Sequence, residues 1–591
     1  MSINGASLIA YSAMMATQVQ MTVASANISN ADTKGYTEKT ANQDALVCGG
    51  GGAGVTISSI TGNVDKLLMK SLVGSTSDVG SANSLNNYLD QLQSLYGSTG
   101  DSTTSGTSLG NTLASLESAI SALANSPGDA SSAANAVQSL AAVATQLRHT
   151  SSGIQTLRGD ADQDIASSVD ATNKALQLIG SLNTQITQAA AEGQPTGDLE
   201  DQRNTALQTV ATNLDITYFT SANGSVQVYT ASGQALVDGA VHTLGYTPAA
   251  SVTSSTTYSA TSPSGFQGIM LNGADITTQI KSGAIGGLIN LRDTILPGAQ
   301  SQLDGLASQL ATTLNAVHNQ GTALPPPSSL TGSASVSAST PFSATGTARI
   351  AVTNSQGNLV SCQDLNLSSY STVGSIVSAI NGISGLTASI NANGNVVIAS
   401  TSAGNGVAIN QMTSSVGTSG QGLSDWLGLN DLVTGSSASD FSVRSDILSN
   451  PGLFAIASLA SSASPAVGSQ VISAGSSTIA NSLYSSLTAS TAFPAAANLG
   501  ATNASFADYA ADIVASVASK SSQASADYTN KQAAQSTFSN TLSSESGVNL
   551  DEETARLSSL QNEYTASAEL LQVINQMFAS LVTAVQAVAA A

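Results

Sequence analysis

Few groups in this 591-residue chain have types suited to catalysis or metal binding, and their spacing decides what they can do. His149, His242 and His318 stand in unrelated contexts, with no His-Glu-x-x-His arrangement and no partner at ligand spacing. Each reads as a packed or solvated histidine. Cys48 and Cys362 lie far apart and form neither a zinc pattern nor a disulfide framework, so they are free thiols or meet in space. The run CGGGGAG, Cys48 to Gly54, lacks the Gly-Lys-Ser/Thr that cradles phosphate and reads as a flexible loop. Asp551, Glu552 and Glu553 fall at a helix start, where carboxylates favour the macrodipole, so they read as a cap. DLEDQRN, Asp198 to Asn204, is the most charged local motif. Either it binds something, or Asp201 and Arg203 stabilise the start of a helix running through Leu207 and Val210 at a domain junction. The expectation is a non-enzyme, with no catalytic, cofactor-binding or metal residues.

The elements must therefore carry the function. The chain is too long for one core, since domains usually run about 100–200 residues. Only 9% of residues are charged and 4% aromatic while 41% are hydrophobic, so burial proceeds through small side chains. A net charge of −21 repels polyanions, which argues against nucleic acid and anionic membranes as partners. No apolar run approaches the roughly 18–20 residues of a membrane span. The start of the chain lacks a basic segment, an apolar run and a small-residue cleavage site, so export, if it occurs, proceeds without a cleaved signal.

Both ends read as helices. Leu8, Tyr11, Met15, Val19, Val23 and Ala26 recur every three or four residues and make one apolar stripe. Leu550, Leu557, Leu560, Tyr564, Leu571, Ile574, Phe578, Leu581 and Val585 keep a heptad spacing interrupted at Ser567, a coiled-coil seam seeking a partner. The two ends could pack on each other within one chain or on neighbouring chains. Further helices are predicted over Asn111 to Asn125 and Ser131 to Arg148, separated by a turn at Ser126-Pro127-Gly128-Asp129. Another covers Ile165 to Ala190, closing at Gly193, and another Leu303 to Val317, after a break at Pro297-Gly298. Strand hairpins are predicted with turns at Ser232-Gly233, Gln356-Gly357 and Asn393-Gly394, and the Pro-rich stretch from Ala323 reads as a linker.

The stretch NISNADTKGYTEKT, Asn27 to Thr40, resembles the Asn-Ile-Ala-Asn…Thr-Pro-Gly-Tyr signature that follows the first helix in rod, hook and hook-associated proteins of the bacterial flagellum. The match falls on Asn27, Ile28, Asn30, Thr33, Gly35 and Tyr36. Lys34 stands where that family has Pro, and Glu38-Lys39 replaces a common Arg-Gln, which implies a looser turn. Within the group, LEDQRNTALQTVATNLDITYF, the segment from AIGGLINLRD to Asn315-x-x-His318-x-x-Gly321, LSDWLGLNDLV and the terminal heptad helix resemble the hook-associated protein 1 family of hook-filament junction proteins. The stretch from Ser371 to Ile409 resembles the Ile-Asn module inserted in flagellin and hook-type proteins, with Ala379, Ile380 and Asn381 at its helix end.

The resemblance and the patterning together imply a multidomain α+β protein: a terminal α-helical coiled coil, a helical bundle stem, and β-rich domains inserted in the middle of the chain. The expected division is 1–45 with 548–591 as a terminal inner-tube domain; 46–215 with 281–322 and 445–547 as the stem; 216–280 as a β-rich insertion; and 323–444 as an outer β-rich domain containing an Ile-Asn module at about 371–410. The family further implies terminal helices that order on assembly, a ring of subunits linking hook to filament, and export by the flagellar type III apparatus to an extracellular location. Implied partners are further copies of the chain, hook protein, a second junction protein and an export chaperone on the C-terminal helix. Assembly contacts are expected at Leu8, Tyr11, Met15, Val19 and Val23, and at Leu557, Leu560, Tyr564, Leu571, Ile574, Phe578 and Leu581. The turn motif is Asn27, Ile28, Asn30, Gly35 and Tyr36. A second junction protein or a flagellin variant is the alternative within the group. From another class, the alternative is a secreted adhesin or β-rich surface hydrolase, against which stand the absence of a fixed repeat and of a nucleophile-base pair.

Overall fold

The computed structural model describes residues 3–48, 51–97, 108–261 and 265–590. Helix α1 (Ile3–Asn30) carries no charged residue and gives way to a polar turn. An antiparallel hairpin follows, Lys39–Cys48 with Gly51–Gly62, in the register Lys39 to Gly62. This corrects the reading of the glycine run as a loop: its described glycines belong to the second strand, while residues 49 and 50 and the side chain of Cys48 lie outside the described part. Gly54 has φ +122°, and a Cβ there would lie 2.1 Å from Ser12 Oγ. Only glycine lets the hairpin settle onto α1, where the Val55 N–H donates to Ser12 Oγ at 3.1 Å.

The bundle begins with α2 (Lys66–Tyr96), capped by Asp65, and α3 (Leu109–Asn125), capped by Ser108. The stretches expected as two helices, Ser131 to Arg148 and Ile165 to Ala190, are one 62-residue helix, α4 (Ala130–Ala191), capped by Asp129. Gly153 does not break it, because the missing side chain is filled by Leu95 of α2: a Cβ would lie 2.7 Å from Leu95 Cδ2. Helix α5 (Gly197–Asn213) turns back along α4. The strands of 216–280 then pack Val226, Val228, Leu236 and Leu271 into the same apolar core as Ile179 and Leu207, rather than enclosing a core of their own. Their hairpin turns at Ser232-Gly233 as expected.

Helix α6 (Gly283–Asn290) runs through a π-turn, Leu291–Ile295, into α7 (Leu296–His318). The break expected at Pro297 is absent. Proline removes one N–H from the ladder, and the backbone accommodates this by widening over the preceding turn.

The chain then enters a second core, containing Leu330, Ile350, Ile376, Ile398 and Val407. The Pro-rich stretch is no free linker. Ser329–Thr331 pairs with Val396–Ser400, and the Pro327 carbonyl accepts from the Val407 N–H at 2.8 Å. Helix α8 (Val373–Asn381) starts in a capping box formed by Thr372 and Ser375. The motif residue Asn381 grips the following strand: its side chain donates to the Ala388 carbonyl and accepts from the Ala388 N–H, both at 2.7 Å. The hairpins at Gln356-Gly357 and Asn393-Gly394 form as expected.

Helix α9 (Leu423–Leu427) ends at Gly428, and the return to the bundle lies at Asn430-Asp431, earlier than the expected 444. Leu429 belongs to the outer core, whereas Leu432, Val433, Phe441 and Val443 belong to the bundle core. The last turns of α7 hold this crossing. Asn315 Oδ1 accepts from the N–H groups of Leu432 and Val433 at 2.8 and 3.0 Å, and Asn319 Nδ2 donates to Asp431 at 2.7 Å. His318 Nδ1–H donates to the Asn430 carbonyl while Nε2 accepts from the Ala455 N–H at 2.8 Å. A Cβ on Gly321 would lie 2.1 Å from the Ala455 carbonyl oxygen. The Asn-x-x-His-x-x-Gly spacing is thus a clip for the outer unit.

Burial pulls the His318 pKa from 6.5 down to about 4. The unfolded chain binds a proton there that the folded chain refuses, so stability is complete above the unfolded pKa and is lost as pH falls toward the folded one. The loss reaches about 3 kcal/mol. His318→Gln, which keeps a donor and an acceptor, is expected to flatten this part of the pH slope in urea unfolding at pH 4.5 and 7. An unchanged slope would show that the imidazole does not titrate in this way.

Helices α10 (Ser445–Ser449) and α11 (Thr478–Thr488) close the bundle, and α12 (Phe506–Ser546) lies along α2, with Gln535 Nε2 donating to Thr76 Oγ1 at 3.0 Å. Helix α13 (Leu550–Ala589) completes the chain. The expectation that no run is long and apolar enough to cross a membrane is corrected here. By length and composition alone, an 18-residue window within Phe506–Ala589 is, and 6% of it is buried. No charged residue follows Glu569, and the scattered Gln and Asn of this stretch do not offset its Leu, Val, Ile and Phe.

Candidate functional site: the terminal helix pair and its turn

The turn after α1 is built around Asn27, which is fully buried. Its Oδ1 accepts from the Lys39 N–H at 3.0 Å and from Tyr36 OH at 2.9 Å, and its Nδ2 donates to the Lys39 carbonyl at 2.9 Å. Asn30 accepts from the Thr33 hydroxyl, and Gly35, at φ +85°, reverses the chain where a Cβ would lie 2.9 Å from Thr205 Oγ1. Ile28 is half-buried beside them. The five motif residues therefore come together. Asn27→Ala is expected to orphan the Lys39 N–H and carbonyl at about 1–3 kcal/mol each. Hydrogen exchange should show it as early opening of residues 27–45 with the bundle still protected; unchanged protection there would contradict the lock.

Helix α5 supplies the other half. Asp201 accepts from the Thr37 N–H at 3.0 Å and the Thr37 hydroxyl at 2.8 Å, and pairs with Lys39 Nζ. Both side chains of that ion pair are buried. Lys39 also lies 4.5 Å from the Tyr36 ring centroid. Burial, together with Asp198, Asp201 and Glu553, pushes the Tyr36 hydroxyl up to about 12. Asp201 thus clamps the turn rather than starting its own helix, where Thr196 and Glu200 bond to each other instead. Arg203 donates to the Gly224 carbonyl at 2.6 Å and ties α5 to the strands. The acidic run at 551–553 divides as well: Asn549 caps α13, while Glu553 is buried beside Arg556 and Glu38. Lys39 occupies the position expected to loosen the turn, and instead it helps to fix it. Sequence reasoning missed Thr37 and Lys39, whose partner is 164 and 162 residues away.

The turn brings α1 back along α13 in antiparallel sense, with Glu38 N–H donating to the Ser546 carbonyl at 2.8 Å. The contact face of α1 is not the large apolar stripe. Ala10, Thr17 and Ala24, seven residues apart, are buried with Ala16 and Asn27, whereas Leu8, Tyr11 and Met15 are 65%, 52% and 44% exposed. Val19 and Val23 are half-buried. On α13, Leu560 and Ile574 are buried and Leu557, Tyr564 and Leu571 half-buried, but Phe578 and Leu581 face outward. Leu570, Val573, Met577, Val582, Val585 and Val588 join them. Helix α13 has 40 residues against 28 in α1, so its last turns run beyond its partner. Helix α1 is thus buried through its small residues, between α13 and the hairpin, and leaves its bulky face open.

The densest charge cluster lies elsewhere. Arg292, in the π-turn, is fully buried and donates to Asp162 at 2.8 Å, to Asp293 at 2.8 Å and to Tyr246 OH at 2.6 Å, over the Phe266 ring. Arg158 beside it donates to the Thr253 and Arg292 carbonyls at 3.1 and 3.2 Å. Burial opposes the Arg292 charge, but Asp293, Tyr246 and Asp162 more than offset it and hold the guanidinium above its ordinary pKa. The cluster pins Tyr246, Thr253 and Phe266 to α4, and among the described residues no group of three or more His, Cys, Asp or Glu is placed to hold a metal ion.

Comparison with known families bears on this arrangement directly. The flagella basal body rod protein family matches residues 8–37, which is α1 with its turn. The flagellar hook-associated protein FlgK helical domain matches residues 89–329, and the flagellar basal body rod FlgEFG protein C-terminal family matches residues 541–584. The chain belongs with the FlgK-like hook-associated proteins. Its multidomain α+β architecture agrees with this family, and its place is the bacterial flagellum, as a structural component. Six chains of solved structure match; one is the flagellar hook junction protein FlgK from Burkholderia pseudomallei, at 18% identity and a TM-score of 0.50, over 80% of this chain and 98% of that one. At that identity the likeness concerns the fold of the FlgK-like chain alone. No curated protein matches.

Proposed function

We propose that this FlgK-like chain assembles with further copies of itself into a ring that joins the flagellar hook to the filament, and that it has no catalytic role. The observation that carries the reading is the open apolar surface of the terminal pair: Leu8, Tyr11 and Met15 on α1 and Phe578, Leu581 and Val585 on α13 are exposed, and neither α1 nor α13 after Glu569 carries a charge. Each such side chain contributes about 1.5–3 kcal/mol when fully buried, as an upper bound. A helix pair already ordered within the chain leaves less conformational entropy to be lost on assembly. The half-buried Val19, Val23, Leu557, Tyr564 and Leu571, with the buried Leu560 and Ile574, hold the pair in the shape that the next subunit meets. Hook protein on one side and a second junction protein on the other are the partners that family likeness favours. Family likeness also underlies passage through the flagellar type III apparatus and a chaperone covering α13 before assembly, which would mask the same uncharged surface.

Purified chain added to isolated hooks should form one additional layer at their distal end, seen by electron microscopy. Free chain that leaves the hook ends bare while forming no layer would contradict the proposal.

A further inference from the structure

Of the nine phenylalanines only Phe219 and Phe578 are exposed, and Phe219, at 58%, lies outside the terminal pair. A single exposed apolar side chain is ordinary on a protein surface, but this one has a setting. Strands Ile216–Thr220 and Val226–Thr230 pair with Phe219 opposite Gln227 and Thr217 opposite Tyr229, so these four side chains share the face turned away from the core that takes Val226 and Val228. The rings of Phe219 and Tyr229 meet edge to face with centroids 6.2 Å apart, and Tyr229 OH donates to Gln227 Oε1 at 3.2 Å. Gln227 is also a wall of a groove of about 590 Å³ between α4 and these strands, whose other walls include Asn183, Thr184 and Thr187 of α4 and Ser225 and Asp238 of the insertion. The walls are fixed. Asn183 exchanges two hydrogen bonds with the Val226 backbone, at 2.7 and 2.9 Å, and Gly180 lets Val241 close on α4, where a Cβ would lie 2.5 Å from Val241 Cγ2. Two wall residues keep unspent hydrogen-bonding capacity. Gln227 Nε2 has no partner among the described residues, and Asp238, whose Oδ1 takes the Ala240 N–H and lies 3.0 Å from His242 Nε2, has an Oδ2 that takes no hydrogen bond from another residue.

We propose that this groove and its aromatic edge bind a neutral carbohydrate. A pyranose presents a face of C–H bonds and a rim of hydroxyls, each of which is both donor and acceptor. The C–H face suits the electron-rich face of the Phe219 ring. Two neighbouring hydroxyls suit the groups left unspent, one accepting from the Gln227 amide and one donating to the Asp238 carboxylate. The volume falls within the roughly 300–1,000 Å³ of small-ligand sites, and walls already held by the Asn183 and Gly180 contacts leave little ordering to be lost on binding. No lysine or arginine lines the groove, Asp238 is its only charged side chain, and the whole chain carries −21, so acidic sugars and phosphates are repelled. None of the walls comes from α1 or α13, and the site therefore stands independently of the ring.

The full chain is tested on an array of neutral oligosaccharides of glucose, galactose, mannose, fucose and N-acetylhexosamines, with sialylated and uronic-acid oligosaccharides beside them, and the strongest neutral binder is then titrated by calorimetry. Saturable binding of a neutral sugar is expected, with the acidic ones retained less. Phe219→Ala, which removes the ring, and Asp238→Asn, which removes the charged acceptor, should each weaken binding about tenfold. Thr184→Trp, which fills the groove from an exposed position on α4, should abolish it, whereas Leu178→Ala, exposed on α4 outside the groove, should leave it unchanged. Retention of no neutral sugar, preference for the acidic ones, or an affinity unchanged in both Phe219→Ala and Asp238→Asn overturns the site. Should Phe219→Ala unfold the strands, Asp238→Asn and Thr184→Trp decide, weaker binding in both supporting the site and unchanged binding in either overturning it.

Discussion

Replacing Tyr11 and Phe578 together by Asp is expected to abolish layer formation on isolated hooks while leaving the unfolding of the free chain within about 0.5 kcal/mol of the natural protein. Both side chains are about half exposed, at 52% and 44%, so little intramolecular burial is lost. In an assembly each would be covered by a neighbour, and the pair would forfeit about 3–6 kcal/mol per contact, a factor of roughly 10² to 10⁴ in the association constant. Burying the introduced carboxylates adds a further cost. Ala24→Asp provides the contrast. It lies on the buried face of α1, the helix that packs on α13 and on the hairpin, is 1% exposed, and should loosen α1 within the single chain. If the exposed pair of substitutions destabilised the free chain as much as Ala24→Asp does, the outward face would be an intramolecular one after all. If both left layer formation intact, the terminal pair would not be the assembly surface.

Arg292→Ala is expected to be the most destabilising single change in the bundle, costing about 3–5 kcal/mol, because it strands Asp162 and the Tyr246 hydroxyl in a dry interior. Asp162 is 1% exposed and also accepts from the Ala249 N–H at 2.7 Å, so the Tyr246–Ala249 segment loses its anchor along with the ion pair. Urea unfolding should show a lowered midpoint with a broadly unchanged slope. Replacing Arg292 by Met and Asp162 by Leu together should recover part of the loss, since paired removal leaves no lone buried charge. A cost below about 1 kcal/mol for Arg292→Ala would mean that water reaches the cluster and screens it.

Much of this architecture is legible in the residues. Helix period, the turn chemistry at Ser232-Gly233, Gln356-Gly357 and Asn393-Gly394, and the Asn27 to Tyr36 motif all depend on neighbours in sequence, so local reading recovers them. Long-range pairing is not local. Nothing near Asp201 announces Thr37 and Lys39, and nothing near Asn315 announces the backbone at Leu432-Val433. Hydropathy also weights side chains by size, which explains the most instructive error. In α1 the bulky stripe of Leu8, Tyr11 and Met15 draws the eye, while the face that packs is Ala10, Thr17 and Ala24, chosen because small residues let two backbones approach closely. The joined helix α4 and the π-turn before Pro297 fail for a related reason. Glycine and proline read as breakers in isolation, but Leu95 fills the space at Gly153, and a widened turn absorbs the proline. The outer unit's return at Asn430 is marked in sequence only by polar residues whose partners, Asn319 and Gly321, lie on the far side of the insertion.

The central claim is that the outward apolar faces of α1 and α13 are covered when the chain assembles, and oxidative footprinting by hydroxyl radicals reads that coverage side chain by side chain. Tyr11, Met15, Met577 and Phe578 are reactive types on the exposed faces, and Met270 and Met412, exposed on other parts of the chain, serve as internal controls. Comparison of the free chain with the chain incorporated on hooks should show the first four becoming protected while Met270 and Met412 keep their rates. Equal oxidation of Tyr11, Met15, Met577 and Phe578 in both states would contradict the account, because the faces on which it rests would still meet water after assembly.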